Sequence, residues 1–357
     1  MIKHRLKLGL RTAWARLLFH SGLHALIDHI MPARLTILAG HRVSDGTDGA
    51  AHLPADMTIS VARLEQIVGW FARRYRFCTV SEGARALRNG DLKQSLVALS
   101  FDDGYRDNCD VLLPLLERTG GRATVFLESR PLDTRKLNWS HKYFWILANL
   151  EPADFVRRYG ELSAQPEVFG AAEEILRADP GRIGYRFKRL LKYEARPEDR
   201  DLVLDQIFSE LGGDERKLCD DLYLTWDEVR RMQAGGIELG GHTVSHPILS
   251  RCDQRQAERE VGEGAASLRR VLQGEVTSFA YPWGRPWDFD EASQRAVRIA
   301  GFDTACTMRA GVNLPRSDSM QYARLAIDDS AELHLLVAEA CGGFELLRRL
   351  GLDLSGP

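Results

Sequence analysis

Short apolar runs alternate with amphipathic helical stretches along most of this chain, and that alternation restricts what it can fold into. Strand-like runs occur at 35–39, 77–80, 96–101, 122–127, 237–240, 276–281, 302–307 and 322–327. Between them lie helical patterns at 60–75, 110–118, 225–233, 253–272, 288–300 and 331–350, with a further helix opened by Ser81. Strand and helix in turn imply a parallel sheet with helices outside it. The expected fold is α/β, a distorted (β/α) barrel of about seven parallel strands, with an open doubly wound sheet as the other arrangement. In either, chemistry collects at the carboxyl ends of the strands. His41, Asp102, Asp103, His242, His246 and Trp283 each follow a predicted strand.

The alternation stops between 129 and 222, where helical patterns recur with little strand signal. This reads as a helical insertion or lid, longer than an ordinary connection. It carries a basic cluster, Arg182, Arg186, Lys188, Arg189 and Lys192, suited to an acidic group or to a solvated helix face. The chain is thus read as a barrel domain over 34–350 interrupted by 129–222. A basic amphipathic helix, 1–33, precedes it. In that helix Ile2, Leu6, Leu10, Ala13 and Leu17 share one side while Lys3, Lys7 and Arg11 form another stripe. Such a segment either lies in a membrane interface, with Trp14 and Phe19 as anchors, or packs on the domain or a second subunit.

A formal charge of -2 excludes a general nucleic-acid binder. Six scattered cysteines without a Cys-x-x-Cys pair are neither a disulfide framework nor a thiolate metal site, and fit a reducing compartment. No run approaches the roughly 18 apolar residues of a membrane span. A cytoplasmic location, with peripheral contact at the inner membrane face, is the expectation.

The run from Leu96 to Phe101 leads into Asp102-Asp103-Gly104-Tyr105. Adjacent carboxylates at a strand end repel unless a cation lies between them or one holds a proton. Far downstream, His242 and His246 are four residues apart, the spacing that puts two imidazoles on one face of a helical turn. Gly240 and Gly241 before them permit a sharp turn, and Pro247 after them restricts it. Two histidines and one carboxylate make a three-ligand set that leaves positions open for water. Zinc suits it, as do cobalt, nickel, iron or manganese.

Ser100-Phe101-Asp102-Asp103-Gly104 resembles the first motif of the NodB-homology polysaccharide deacetylases, carbohydrate esterase family four. His242-Thr243-Val244-Ser245-His246 resembles their second, and Phe279-Ala280-Tyr281-Pro282-Trp283-Gly284 their third, in the form associated with exopolysaccharide synthesis. The segment ending in His41-Arg42-Val43 is similar to the first strand of that branch. The resemblance implies a metal-dependent hydrolase that removes acetyl groups from sugars, most often from N-acetylglucosamine. It implies that Asp103, His242 and His246 hold the metal, usually zinc, and that Asp102 is the general base. It further implies that the backbone N–H at Trp283 faces the oxyanion, with Tyr281, Pro282 and the Trp283 ring at the substrate.

Two departures stand out. The arginine that usually opens the third motif and orients the catalytic aspartate is matched by Ala280. Arg324, opening the last strand, is the candidate replacement and is also expected at the substrate. The family's late histidine, the usual general acid, has no clear match. His334 lies inside a predicted helix and reads as structural, which leaves His41 as the substitute. The expected function is therefore hydrolytic N-deacetylation of a sugar in a polysaccharide, oligosaccharide or lipid-linked glycan. The alternatives are a degenerate carbohydrate-binding or assembly protein, or a deformylase or other amide hydrolase on the same site.

Overall fold

The computed structural model describes residues 2–44, 46, 52–178, 183–352 and 354, with side chains from Leu6 onward. Arg182 of the basic cluster lies outside the described residues, as do the side chains of Ile2 and Lys3. Ten strands are described: β1 (Leu35–Gly40), β2 (Arg42–Ser44), β3 (Thr58–Ser60), β4 (Arg76–Cys78), β5 (Leu96–Phe101), β6 (Ala123–Leu127), β7 (Glu238–Gly241), β8 (Ser278–Ala280), β9 (Thr304–Cys306) and β10 (Leu325–Ala326). The main sheet runs β10-β1-β5-β6-β7-β8-β9, with β4 added to the first half of β5, and every pairing is parallel. β2 and β3 form a separate parallel pair.

The expected strand 322–327 splits its loyalty. Tyr322 exchanges hydrogen bonds with Ala305 and Thr307 beside β9, whereas Leu325 and Ala326 pair with β1. This one segment touches both ends of the strand order, as a distorted (β/α) barrel requires. All six residues of β1 and all six of β5 are buried, the mark of strands covered on both faces.

Several helix boundaries differ from expectation for local reasons. The helix after β4 is capped by Thr79 rather than Ser81: Thr79 Oγ1 accepts from the Glu82 amide, and Glu82 returns a bond to the Thr79 amide. The N-terminal segment is two helices, α1 (Ile2–Ser21) and α2 (Leu23–Ile30), broken at Gly22 with φ 78°. The last helix also breaks, into Leu333–Ala340 and Gly343–Arg349, at Gly342 with φ 82°. A Cβ at Gly342 would lie 3.1 Å from the Met31 side chain, so the break lets the chain end close over the N-terminal helices.

The apolar stripe of α1 faces outward. Ala15 and Leu18 are buried with Ile27, Met31, Ala338 and Phe344, while Leu6, Leu10 and Leu17 are 63%, 51% and 52% exposed. The buried side uses small and bulky residues in alternation, together with an Arg11–Glu339 ion pair and a Trp14 indole bond to the Gly343 carbonyl.

Chain contacts divide the protein into two units. One comprises Met1–Thr47, Ala55–Leu132 and Tyr223–Pro357 and holds the sheet; the other comprises Asp48–Pro54 and Asp133–Leu222. Within the second unit, Tyr143, Phe155, Tyr159 and Phe187 form a buried aromatic cluster. Lys142 is held there by Asp205 and Glu215 at 2.5 and 2.8 Å. Of its basic cluster, Arg186 and Arg189 are exposed, Lys188 lies 4.1 Å over the Phe144 ring, and Lys192 is buried.

Candidate active site

Asp102 and Asp103 leave the carboxyl end of β5, where the backbone turns through Asp103 (φ 74°) and Gly104 (φ 77°). Two successive left-handed residues point the two carboxylates in different directions. Asp102 meets Arg324: the guanidinium donates two parallel bonds to its oxygens, both 2.7 Å, and a third of 2.9 Å to the Thr307 carbonyl. Arg324 is 1% exposed and Asp102 3%. Burial alone would raise the Asp102 carboxyl, but the Arg324 charge outweighs it and holds the group below its usual range.

Asp103 faces the histidines instead. His242 Nε2 and His246 Nε2 lie 3.3 and 3.4 Å from Asp103 Oδ1, an oxygen that is buried and accepts no hydrogen bond. One nitrogen from each ring and one carboxylate oxygen fall within 4.8 Å of one another, an arrangement that can hold a metal ion. His242 Nδ1 donates to the Ala280 carbonyl at 2.7 Å, which fixes the tautomer and leaves Nε2 as the free donor atom. Burial opposes ionisation of Asp103, yet His242, His246 and His41 together hold it far below the ordinary carboxylate range. Burial likewise works against a charged His242, but the nearby carboxylates of Asp103 and Asp102 carry it upward.

The spacing of His242 and His246 suggested a helical turn, and the structure corrects this. The segment is an irregular loop in which Thr243 (φ 68°) and His246 (φ 58°) are left-handed. Ser129 and Arg130 donate their amides to the Thr243 and Val244 carbonyls. On the other side Glu260, from the helix Gln254–Val271, accepts from the Val244 and Ser245 amides at 3.1 and 2.9 Å and from the Ser245 hydroxyl at 2.6 Å. Thr243 Oγ1 accepts from the His246 amide at 3.0 Å. Gly264 allows the approach, since a Cβ there would stand 3.0 Å from the Thr243 backbone.

Trp283 follows β8 in a tight γ-turn: the Gly284 amide donates to the Pro282 carbonyl at 2.7 Å around Trp283 at φ 63°. Its half-buried ring lies 5.0 Å from that of His246. His41 directly follows β1 and is half-buried; Gly40 pairs with Phe101 and its carbonyl accepts from the Asp102 amide at 3.0 Å, so the two segments leave the sheet side by side. Its backbone is fixed by Asn108, which donates to the His41 carbonyl at 3.0 Å, and by Asp107, which binds Arg42 and the Val43 amide.

Two residues expected at the substrate lie elsewhere. The ring of Tyr281 stacks on Phe289, 4.3 Å away, inside the main core. Arg324 is fully engaged with Asp102 and Thr307 beneath the site. Pro282 is buried, which leaves Trp283 as the partly exposed member of its motif. His334 sits in the helix Leu333–Ala340 next to Glu332. Sequence reading also passed over Tyr105, fully buried two residues after Asp103, whose ring stacks on Tyr223 at 5.3 Å. It passed over Glu260 as well, which no pattern separates from the other acids of its helix.

A sequence model of the polysaccharide deacetylases matches residues 89–159 and 203–305, spanning the three motifs that converge here. The chain belongs to the polysaccharide deacetylase family. Its members are hydrolases of C–N bonds outside peptides. A chitooligosaccharide deacetylase of Sinorhizobium fredii is 39% identical over 57 residues, 16% of this chain and 26% of that protein. YxkH of Bacillus subtilis, a polysaccharide deacetylase by name, is 19% identical over 283 residues, 78% of this chain and 66% of that one. The chain thus spans about a quarter of the first of these curated relatives and just under two-thirds of the second. Among solved structures, the Streptococcus pyogenes deacetylase PplD in complex with acetate superposes with a TM-score of 0.56 at 16% identity, covering 87% of this chain and 99% of its own. IcaB from Ammonifex degensii gives 0.54 at 17%, covering 87% and 98%. At these identities the superpositions speak for the deacetylase fold alone.

Proposed function

We propose that this polysaccharide deacetylase family member removes N-acetyl groups from an amino sugar in a glycan, using a divalent metal at Asp103, His242 and His246. The observation that carries the reading is the buried Asp103 Oδ1, which accepts no hydrogen bond and is faced by two imidazole nitrogens. A buried carboxylate oxygen with neutral donor atoms around it fits a cation. Two imidazoles and one carboxylate favour zinc over harder ions. A divalent ion held there supplies Lewis acidity, acidifying a water and polarising an acyl oxygen.

The chain's own residues divide the remaining work. Asp102, kept ionised by Arg324, takes the proton of the attacking water. Trp283, whose ring lies beside His246, is assigned to wall the acetyl pocket, and its backbone N–H to stabilise the oxyanion. His41, which leaves β1 beside Asp102, is assigned to deliver a proton to the leaving amine. The Asp102–Arg324 pair also weakens the case for a degenerate binding protein, because it supplies the guanidinium that the third motif lacks. The Sinorhizobium relative acts, by name, on chitooligosaccharides, and the PplD structure holds acetate; both support an N-acetylhexosamine substrate.

The decisive experiment measures acetate and formate release from N-acetylated and N-formylated amino sugars, with metal content determined in parallel. Asp103→Asn is expected to lose both metal and turnover. Full activity in that variant refutes the metal assignment, and formate release alone moves the reading to a deformylase.

Peripheral contact with a lipid surface through α1 belongs to the same proposal. No described helix is long and apolar enough to cross a membrane. The outward stripe of Leu6, Leu10 and Leu17, in a segment with no acid before Asp28, supports it. The six free cysteines, five of them buried, support a reducing, cytoplasmic setting.

A further inference from the structure

All seven tryptophans are described, and Trp287 alone is exposed, 58% of its surface facing solvent. It is not on a loose loop. The Asp288 amide donates to the Arg285 carbonyl at 2.9 Å, and the Arg285 amide donates to Asp288 Oδ2 at 3.1 Å, which closes a tight turn over Asp288, 0% exposed. Ser250 ties this turn to the loop that follows His246: its hydroxyl donates to the Trp287 carbonyl at 2.7 Å, and its amide to the Asp288 carbonyl at 3.1 Å. The turn begins where the Trp283 motif ends, on the carboxyl side of β8. Four residues of chain reach at most about 14 Å, so Trp287 stands within that distance of the residue that touches His246.

Such a placement does little for folding. Apolar burial is what a tryptophan ordinarily contributes, and this ring leaves most of its area in water. A flat apolar face on a fixed support, with a polar edge, suits a ligand that is itself apolar on one side and hydroxylated at its rim. A pyranose ring has that shape: axial C–H bonds on one face, hydroxyls around the edge. The Arg285 guanidinium carbon lies over the Trp287 ring, 5.7 Å from its centroid, and adds hydrogen-bond donors for those hydroxyls.

We propose that Trp287 and Arg285 form a subsite for a neighbouring pyranose unit of a glycan whose acetylated unit occupies the metal-ligand site. The sugar assignment rests on the deacetylase reading, and it makes the substrate an oligomer or polymer. Trp287 acts in positioning and affinity and touches none of the reacting atoms.

The test compares N-acetylglucosamine with a chitooligosaccharide series on wild type, Trp287→Ala and Trp287→Phe. Acetate release gives kcat and KM, and intrinsic fluorescence titration reads binding without turnover. Trp287→Ala is expected to raise KM for the longer substrates about tenfold, the scale of one lost ring contact, while kcat and the monosaccharide stay unchanged. Trp287→Phe recovers part of the loss. Acetate release with neither KM nor fluorescence altered by Trp287→Ala overturns the subsite and leaves the deacetylase reading standing. Fluorescence quenching that depends on Trp287, with no acetate or formate released in any arm, keeps the subsite and overturns the deacetylase reading.

Discussion

Replacing Arg324 with methionine leaves the Asp102 carboxylate buried without the guanidinium that pairs with it. The pair is bidentate at 2.7 Å, with Arg324 1% and Asp102 3% exposed, so solvent cannot take over the lost charge. Removing one partner of a buried ion pair costs about 3–5 kcal/mol, most of it the stranding of the other charge. The substitution also frees the Thr307 carbonyl, which adds about 1 kcal/mol. The same reasoning says that Asp102→Asn in the Arg324→Met background relieves most of the penalty, because a neutral amide is cheaper to bury than a carboxylate. Urea denaturation of wild type, both single variants and the double variant measures this directly. Expected is a coupling of several kcal/mol, with the double variant more stable than Arg324→Met alone. Costs that add to within about 0.5 kcal/mol would refute the argument, since independent sites behave that way. Acetate release gives a second readout: without its arginine Asp102 is dominated by burial, favours the protonated form, and loses its capacity as a base, a fall of about 10²–10⁴-fold.

Further outcomes follow from the same geometry. Asp102 has a native pKa below its ordinary 3.8, so the stability it contributes is complete above that pH and lost as pH falls through the lowered native value; acid unfolding of Asp102→Asn, followed by circular dichroism, should lack this component. Glu260→Ala removes three acceptor contacts from the loop carrying His242 and His246 and should weaken metal affinity by about 10–100-fold, read by competition with a chelating dye, with Glu260→Gln retaining more. Gly342→Ala places a side chain at φ 82° against Met31 and should cost about 1–3 kcal/mol in thermal or urea unfolding without changing acetate release.

The strand order and helical surround were legible because burial on both faces writes itself as uninterrupted apolar runs such as Leu96–Phe101. The residues of the site were legible where local chemistry is unusual: adjacent carboxylates after a strand, and paired histidines flanked by glycine and proline. What could not be read depends on contacts remote in sequence. Arg324 was legible as the candidate guanidinium for the catalytic aspartate, but it is 222 residues from Asp102, and its burial beneath the site, away from the substrate, follows from how the closing segment 322–327 brings the two together. Spacing alone offered a helical turn for His242 and His246, whereas the actual loop is shaped by acceptors from Glu260 and Thr243. The α1 stripe was legible as amphipathic, but periodicity does not say which side faces the protein. Ala15 and Leu18 win the inward face because they fit against Ala338 and Phe344, not because that side is more apolar.

Backbone strain links these observations. Among the described residues, five other than glycine have positive φ, and four of them are Asp103, Thr243, His246 and Trp283. Each such residue costs about 1–3 kcal/mol, and they persist only where surroundings over-determine them. Here the constraints are visible: the β5 ladder before Asp103, the Glu260 and Ser129 contacts around Thr243 and His246, and the Pro282–Gly284 bond around Trp283. The consequence is a site whose geometry is set before any ligand arrives. A regular turn would carry Asp102 and Asp103 along one course. The left-handed Asp103 separates them, sending one to Arg324 and the other to His242 and His246. A glycine at position 103 would relax the strain, and it would leave nothing to face the two imidazoles.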